Sequence, residues 1–334
     1  MAKSSKIALT GATGHIGYAL LKELLAQDEA VRILVRRDKG LFDEMNCEKV
    51  QGDVTDYESL VKAFEGVDTV YHLAGYIEIK KGYEDKVWQV NYDGTRNVVR
   101  ACQECKVKKL VYMSSVDAVP VMPNGELMVE PSSFDPELVD GTYAKTKAAA
   151  TQFVLDNQGV GGLDVVVVHP SACIGPYDFK VSSIGEMVRM FMGGKFPVSL
   201  GFGAYNFVDV RDVARGSILA AQRGRAGECY FLCGEAMSVD EFIKTLAKVC
   251  LVKAPRLRLG SGICSIAAPF AEIYYNISKT TPLFTRYSLR KLKENCNFSN
   301  VKAKTELGYE PMSVEQSLAD MVEWIKENEG NEDD

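Results

Sequence analysis

A tyrosine and a lysine one helical turn apart are the pair in this sequence best suited to acid–base chemistry. Tyr143 and Lys147 occupy positions i and i+4 of the segment YAKTK, so a helix places both side chains on one face. A neighbouring ammonium stabilises a phenolate, and we expect it to lower the pKa of Tyr143 toward neutrality. The same spacing also occurs where both side chains lie on a solvated helix surface, and Lys145, within the same motif, is expected to lie on such a surface.

Two serines close the run Lys109–Met113, which predicts a β-strand. Parallel sheets bind substrates at the carboxyl ends of their strands, where the hydroxyl of Ser115 can bind a reacting oxygen as it becomes an alkoxide. Serines at strand ends also form ordinary turns, so Ser115 indicates catalysis only in combination with Tyr143 and Lys147. We predict that Ser115, Tyr143 and Lys147 form a catalytic centre.

A glycine-rich turn, TGATGHIG at 10–17, joins the first apolar run to the first helix-periodic segment. Its glycines have the spacing G-x-x-G-x-x-G, which permits a tight turn and lets backbone approach a pyrophosphate at a helix N-terminus. The turn therefore predicts a dinucleotide site. Its predicted cofactor-binding residues are Gly11, Thr13, Gly14, His15, Ile16 and Gly17.

The end of the second apolar run indicates which dinucleotide fits. NAD enzymes usually have an acidic residue there, which accepts hydrogen bonds from the ribose 2′-hydroxyl. Here the position is Val35, followed by Arg36 and Arg37, so no carboxylate repels a 2′-phosphate and a guanidinium can bind it. We predict NADP(H) as the cofactor. Exposure to solvent is the alternative for one arginine, above all for Arg37.

Short apolar runs alternate with helix-periodic segments through the first half of the chain. Strands that are apolar on both faces and separated by helices indicate a parallel sheet covered on both sides, with right-handed connections. We predict an α/β, doubly wound Rossmann fold. The predicted strands are Ile7–Thr10, Val31–Val35, Val67–Leu73, Lys109–Met113, Asp164–His169 and Tyr230–Cys233. The predicted helices are Tyr18–Gln27, Trp88–Cys102, Tyr143–Asn157, Val239–Val249 and Val314–Lys326, with a further helix, rich in Leu60, Val61 and Phe64, before the third strand.

The alternation loosens after Pro170, where a smaller C-terminal lobe is expected. We predict a nucleotide-binding domain at 1–175, with a strand and helix returning to it near 206–222. Residues 176–327 form most of a substrate-binding lobe, and 328–334 form an acidic tail.

The charge balance and the cysteines exclude several classes of protein. Acidic residues number 45 against 39 basic ones, giving a net charge of −6, so no basic field attracts nucleic acid. Nine scattered cysteines are typical of reduced thiols in a cytoplasmic protein. Cys102 and Cys105 form a lone C-x-x-C in a helix-periodic segment, so we predict no metal site.

The start of the chain resembles neither a signal peptide nor an anchor. Ile263–Ile277 is too short to span a bilayer, although loose contact of this segment with lipid stays open.

Taken together, the motifs resemble those of the extended short-chain dehydrogenase/reductases over nearly the whole chain. Within that family the sequence is most similar to the dihydroflavonol 4-reductase-like and 3β-hydroxysteroid dehydrogenase-like branch. The matching segments, in the family's order, are TGATGHIG at 10–17, GDVTD at 52–56, HLAG at 72–75, VNYDGTRNV at 90–98, YMSSV at 112–116, YAKTK at 143–147, HPSACIGP at 169–176, NFVDVRDVARG at 206–216 and NFSNVKAKTELGYEP at 297–311.

The resemblance implies roles for further residues. Asn91 holds the active-site helices, Pro170 begins the loop beside the nicotinamide, and Tyr143 and Lys147 also touch the cofactor. A homodimer is expected, paired through helices that contain Asn91–Cys102 and Tyr143–Asn157. The residues that the resemblance places against adenine and ribose are Asp53, Val54, Leu73, Ala74 and Gly75.

The resemblance also separates subclasses of enzyme. Sugar-nucleotide dehydratases of this superfamily have Asp-Glu directly after the catalytic hydroxyl residue, whereas this chain has Val116 and then Asp117. Asp117 either contacts substrate or is a plain loop carboxylate. We expect an NADP(H)-dependent reductase or alcohol dehydrogenase. The alternatives are a sugar-nucleotide epimerase with tightly bound NAD(P) and a redox-sensing binding protein.

The substrate pocket is expected between two segments, Val116–Thr142 and Phe179–Tyr205. Apolar side chains in the second segment favour a bulky, weakly polar small molecule such as a flavonoid- or steroid-like compound. The same side chains are equally suited to the core of the lobe. They are Met187, Met190, Phe191 and Phe196.

Overall fold

The computed structural model describes residues 6–37, 40–78, 82–194, 198–266 and 286–329. One sheet contains the strands β1 (Ile7–Thr10), β2 (Val31–Val35), β3 (Glu48–Gln51), β4 (Thr69–His72), β5 (Lys109–Met113), β6 (Asp164–Pro170) and β10 (Cys229–Leu232). They are parallel throughout and lie in the order β10–β6–β5–β4–β1–β2–β3. The order reverses between β1 and β4, which opens a crevice at the carboxyl edge. The predicted doubly wound parallel sheet is confirmed.

Helices cover both faces of this sheet, which explains why its strands are apolar on both sides. The valines of β6 alternate between the two layers: Val165 and Val167 belong to one core, Val166 and Val168 to the other, and all four are fully buried. The helices of the first layer are α2 (Tyr57–Phe64), α4 (Gly94–Glu104) and α5 (Thr142–Asp156). The helices of the second layer are α1 (His15–Ala26) and α7 (Val210–Arg223).

The smaller lobe follows β6 and has a core of its own. Phe207, Phe242 and Leu318 are buried there. Its strands are β7 (Ala172–Ile174), β9 (Ala204–Asp209) and β11 (Glu235–Ser238) in one sheet, with β8 (Val198–Leu200) paired to β12 (Leu257–Leu259). Its helices are α6 (Ser183–Met192), α8 (Val239–Val249), α9 (Arg286–Lys291) and α10 (Val314–Glu329).

The chain predicted to return near 206–222 lies in β9 and α7. Helix α7 packs against α1 beneath the large sheet, whereas β9 pairs with β7 and β11 of the smaller lobe. The edge strand β10 then adds a seventh strand to the large sheet.

Two of the four apolar residues that the sequence assigns to either the pocket or the core of the lobe belong to the core. Phe191 is buried in that core and Met187 packs against it. These two side chains therefore stabilise the lobe and are no evidence about the substrate. Phe196 lies outside the described residues, as do most of Ile263–Ile277 and the end of the acidic tail. Among the helices that the structure describes, none has the length and apolar content needed to cross a bilayer.

Candidate active site

The glycine turn after β1 brings backbone closer together than side chains would allow. Gly11 has φ +82°, and a Cβ built on it would lie 2.6 Å from the backbone nitrogen of Ala74. A Cβ on Gly17 would lie 2.1 Å from the carbonyl oxygen of Gly11. Only glycine fits these two positions, because the first needs a left-handed backbone and both lack room for a side chain.

Helix α1 begins at this turn with its backbone N–H groups available for a ligand. Gly14 is the N-cap, no side chain caps the helix, and its first turn has no acidic residue. Beside it lies a cavity of about 1350 Å³. Its predicted cofactor-binding residues are Gly11, Thr13, Gly14, Arg36, Arg37, Asp53, Val54, Leu73, Ala74 and Gly75. A cavity of this size, with a glycine cradle at an uncapped helix N-terminus, fits the diphosphate of a dinucleotide.

Two residues of the turn face away from this cavity. The Nε2 of His15 donates a hydrogen bond of 2.8 Å to the carbonyl oxygen of Pro176, and Ile16 packs against the core beneath the sheet. The side chains of His15 and Ile16 therefore support the turn.

The cavity ends beyond β2, where the sequence predicts the ribose site. Arg36 lies there with its Nε 3.8 Å from Oδ2 of Asp53, and its side chain is 69% exposed. Asp53 also accepts hydrogen bonds from the backbone and hydroxyl of Thr55. Arg36 thus faces the cavity, and Arg37 lines it as well.

Asn91 joins the loop after β4 to helix α5. Its Oδ1 accepts a hydrogen bond of 2.7 Å from the backbone nitrogen of Tyr76, and its Nδ2 donates to the Tyr76 carbonyl and to Oγ1 of Thr146, each at 3.1 Å. Asn91 is only 1% exposed. It lies in a π-helical turn, Gln89–Asp93, between α3 (Glu84–Trp88) and α4. Such turns are frequent at functional sites, and the sequence did not predict this one.

Ser115, Tyr143 and Lys147 converge at the carboxyl end of β5. Lys147 donates a hydrogen bond of 2.7 Å from Nζ to the carbonyl oxygen of Met113. A Cβ on Gly75 would lie 3.6 Å from the same Nζ, so Lys147 reaches the edge of the cavity. The hydroxyl of Ser115 donates a hydrogen bond of 3.4 Å to Asp117 and accepts one of 3.2 Å from the backbone nitrogen of Asp117, and it is near enough to Tyr143 to affect the pKa of the phenol. The neighbouring Ser114 bonds instead to Thr151 of α5, at 2.6 Å.

The pKa of Tyr143 is raised, so the expectation that Lys147 lowers it is wrong for the chain by itself. Burial of the phenol raises the pKa most, the Asp117 carboxylate raises it further, and the hydrogen bond from Ser115 lowers it. Lys147 is itself buried, which lowers its pKa to about 7. Its ammonium donates to a backbone carbonyl, and burial makes it easier to deprotonate than an exposed lysine.

Asp117 is held by a lysine from the smaller lobe. Lys291 of α9 lies 3.3 Å from an oxygen of Asp117 and 2.8 Å from Glu294. Asp117 also accepts a hydrogen bond of 3.4 Å from the hydroxyl of Ser115, so its carboxylate lies at the candidate site, where its charge raises the pKa of Tyr143. Lys291 is far away in the chain, and no local pattern pointed to it.

Another residue that the sequence reasoning missed is His169, directly before Pro170. It is fully buried, and its Nδ1 donates a hydrogen bond of 2.9 Å to the carbonyl oxygen of Ser115. Its ring stacks on Phe134 with centroids 5.1 Å apart. Burial lowers its pKa to about 4, so it is neutral and supports the backbone of Ser115. Pro170 itself ends β6 beside it.

Among the described residues, no three histidine, cysteine or acidic side chains gather as a metal site. Cys102 is buried in the core, and the thiol of Cys105 bonds to the carbonyl oxygen of Val61.

Curated proteins similar to this chain along nearly its whole length include the following three. Sterol demethylase protein B of Methylococcus capsulatus is 34% identical, covering 96% of this chain and 98% of that protein. A putative dihydroflavonol 4-reductase of Synechocystis is 30% identical, covering 95% and 94%. A 3β-hydroxysteroid dehydrogenase/Δ5→4-isomerase of Mycobacterium tuberculosis is 28% identical, covering 95% and 89%.

Solved structures share the fold. The crystal structure of gox2253 superposes with a TM-score of 0.83 at 31% identity, covering 97% of this chain and 99% of that one. A dTDP-glucose 4,6-dehydratase from Streptomyces venezuelae, with NAD bound, superposes at 0.78 with 22% identity, covering 97% and 98%. The family model for the NAD dependent epimerase/dehydratase family matches residues 7–233. This chain therefore belongs to the NAD-dependent epimerase/dehydratase family, as an enzyme with steroid dehydrogenases and dihydroflavonol reductase-like proteins among its relatives.

Proposed function

We propose that this protein is an NADP(H)-dependent oxidoreductase that reduces a ketone or aldehyde, or oxidises the corresponding alcohol, of a bulky and weakly polar small molecule. The observation that carries the proposal is the meeting of a hydroxyl, a phenol and an ammonium, from Ser115, Tyr143 and Lys147, beside Gly75. A carbonyl oxygen placed among the three is bound and protonated by the same groups.

When bound beside these residues, a reduced nicotinamide would supply the hydride that the carbonyl carbon needs. Tyr143 would donate its phenolic proton to the carbonyl oxygen, which gives the alcohol. The raised pKa of Tyr143 keeps the phenol protonated at neutral pH, as a proton donor must be. Ser115 donates a hydrogen bond to the same oxygen as negative charge develops there, and solvent then returns a proton to Tyr143.

The preference for NADP(H) is supported by the adenosine end of the cavity. Val35 stands where an NAD enzyme usually has a carboxylate, and Arg36 faces the cavity 3.8 Å from Asp53. A 2′-phosphate offers Arg36 a second acidic partner, with charge-assisted hydrogen bonds. The sugar-nucleotide neighbour with NAD bound is only 22% identical and carries no argument about the cofactor.

The class of substrate is supported by the names of the relatives, which include a sterol demethylase protein and a 3β-hydroxysteroid dehydrogenase. The chain also lacks the acidic pair after Ser115 that sugar-nucleotide dehydratases use for eliminating water. We further propose a small-molecule substrate, no nucleic-acid partner and a homodimer through α4 and α5.

A substrate panel tests the reaction. Purified protein is mixed with NADPH and with ketosteroids, flavonoids, simple ketones and sugar nucleotides, and loss of absorbance by the reduced nicotinamide is followed. We expect consumption with at least one bulky ketone, and Tyr143→Phe to slow it by about 10²–10⁴-fold while binding NADPH normally.

Two outcomes contradict the proposal. Turnover by Tyr143→Phe equal to the original rate excludes this residue as the acid. A dinucleotide that co-purifies and is not consumed while a sugar nucleotide is converted identifies an epimerase instead.

A further inference from the structure

The segment after β7 crosses from the smaller lobe to the glycine turn. We call residues 175–181, GPYDFKV, the strap. Two of its residues that are not glycine, Tyr177 and Val181, have φ +74° and +47°. This backbone conformation is strained for a residue with a side chain and persists only where surrounding contacts enforce it. The strap is therefore held in a shape that its own sequence disfavours.

Contacts with helix α1 hold the first half of the strap. Tyr18 has its ring centroid 5.3 Å from that of Tyr177 and 4.8 Å from that of Phe179. The ammonium of Lys22 lies 4.7 Å from the Tyr177 ring, and Trp324 of α10 meets Phe179 edge-on at 5.1 Å. The strap thus packs between the helix that starts at the cofactor turn and the last helix of the chain.

Asp178, in the middle of the strap, anchors it to the smaller lobe. Asp178 is 2% exposed and accepts hydrogen bonds of 2.8–3.0 Å from the backbone nitrogen and hydroxyl of Ser182, the N-cap of α6. Held by these contacts with α1 and with α6, the strap places the side chains of Phe179 and Lys180 at the wall of the cofactor cavity. The sequence had assigned this stretch to the substrate pocket.

Lys180 places a positive charge at the glycine turn. Its Nζ donates a hydrogen bond of 3.0 Å to Oγ1 of Thr13, between Gly11 and Gly14. The other cations among the described residues of the cavity wall are Arg36 and Arg37, after β2, and Lys86, whose ammonium lies 4.9 Å from the Tyr76 ring. Of these four, Lys180 is the one bonded to the turn that meets a diphosphate.

We propose that Lys180 is a diphosphate-binding residue, by which the smaller lobe adds a charged contact to the dinucleotide at the glycine turn. The proposal rests on the proposed dinucleotide site, and adds to it a residue outside the nucleotide-binding motifs. An ammonium and an uncapped helix N-terminus together match the two negative charges of a diphosphate. Binding the cofactor then also fixes the strap, and with it the start of α6.

Binding measurements on Lys180→Met test this, with Lys22→Met as the matched control. Both substitutions remove one exposed lysine from the neighbourhood of the strap, but only the first removes charge from the glycine turn. Dissociation constants are measured by titration calorimetry for NADPH, NADH, ADP and adenosine 2′-monophosphate. The last probe has the 2′-phosphate and no diphosphate.

We expect Lys180→Met to weaken NADPH, NADH and ADP by about tenfold or more, the usual loss of a charge-assisted hydrogen bond. It should change adenosine 2′-monophosphate by less than twofold, and Lys22→Met should change none of the four by more. Lys180→Arg, which keeps the charge, should bind within a few-fold of the original protein. Circular dichroism confirms that each variant is folded.

The possible failures are distinguishable. Unchanged binding of ADP and NADPH by Lys180→Met overturns the role of Lys180, as does an equal loss for adenosine 2′-monophosphate. An original protein that binds neither NADPH nor NADH overturns the dinucleotide site and with it the proposed function.

Discussion

The two ends of the cofactor cavity are built on different physical principles. At the catalytic end, Lys147 is 4% exposed and Ser115 8%, and His169 is fully buried. At the adenosine end, the side chains of Arg36 and Asp53 are 69% and 32% exposed. One end is a dry site whose groups are held by hydrogen bonds to backbone, and the other is a wet site with charges at its rim.

This difference decides how each end responds to change. In the dry site, burial lowers the pKa of Lys147 to about 7 and that of His169 to about 4, and a lost hydrogen bond leaves a buried group without its partner. In the wet site, water and salt screen the charges. We expect single substitutions to lower stability or binding more at the catalytic end than at the adenosine end.

The largest effect is expected from removing a buried amide. Asn91→Ala removes three hydrogen bonds, to the Tyr76 backbone and to Thr146, and should lower the free energy of unfolding by about 2–4 kcal/mol. Asn97→Ala is the matched change toward the adenosine end. It removes one bond, to the carbonyl oxygen of Val54, and should cost about 1 kcal/mol. Urea unfolding measures both free energies of unfolding. Equal losses for the two variants would contradict the difference proposed between the two ends of the cavity.

The next effect is a dependence of stability on pH that belongs to Lys147. Its pKa is about 7 in the folded chain and about 10.4 when unfolded. Between these values the unfolded chain binds more protons, so stability rises with pH by up to about 1.4 kcal/mol per pH unit. Below pH 7 both states are protonated, and the cost of burying the charge is complete.

Urea unfolding of the cofactor-free protein between pH 7 and 8.5 measures this slope. Lys147→Met should remove the Lys147 part of the rise, whereas Lys145→Met, at a half-buried position of the same helix, should keep it. The groups that titrate in all variants cancel in the difference. His169 contributes in a lower window, because its pKa lies below its ordinary value. Identical slopes for the original protein and Lys147→Met would show that the ammonium is solvated.

The sequence predicted those features that depend on neighbours along the chain. The bounds of β5 and α8 agree with the structure to the residue, because apolar periodicity is a local property. The consecutive valines of β6 predict a sheet that is covered on both faces. In the site, the i and i+4 spacing of Tyr143 and Lys147 on α5 places them together in the same way.

Features that depend on distant contacts could not be predicted. Lys180 and Thr13 are 167 residues apart, and Lys291 reaches Asp117 from another lobe. The raised pKa of Tyr143 follows from burial and from the Asp117 charge, neither of which a spacing reveals. Strand β3 was missed because its four residues are only partly buried or exposed, so it lacks an apolar run.

The smallest effect is expected at Arg36, in the wet site. Arg36→Ser should weaken NADPH by about tenfold or less, since exposed ion pairs contribute about 1 kcal/mol, and should leave NADH nearly unchanged. Arg37→Ser is the matched control and should have the smaller effect. Because the Debye length falls from about 10 Å at 0.1 M salt to about 3 Å at 1 M, the Arg36 effect should shrink at high salt. Titration of both dinucleotides at two salt concentrations measures it. A loss of a hundredfold or more that salt does not reduce would mean that the 2′-phosphate site is dry, and the contrast between the two ends would not hold.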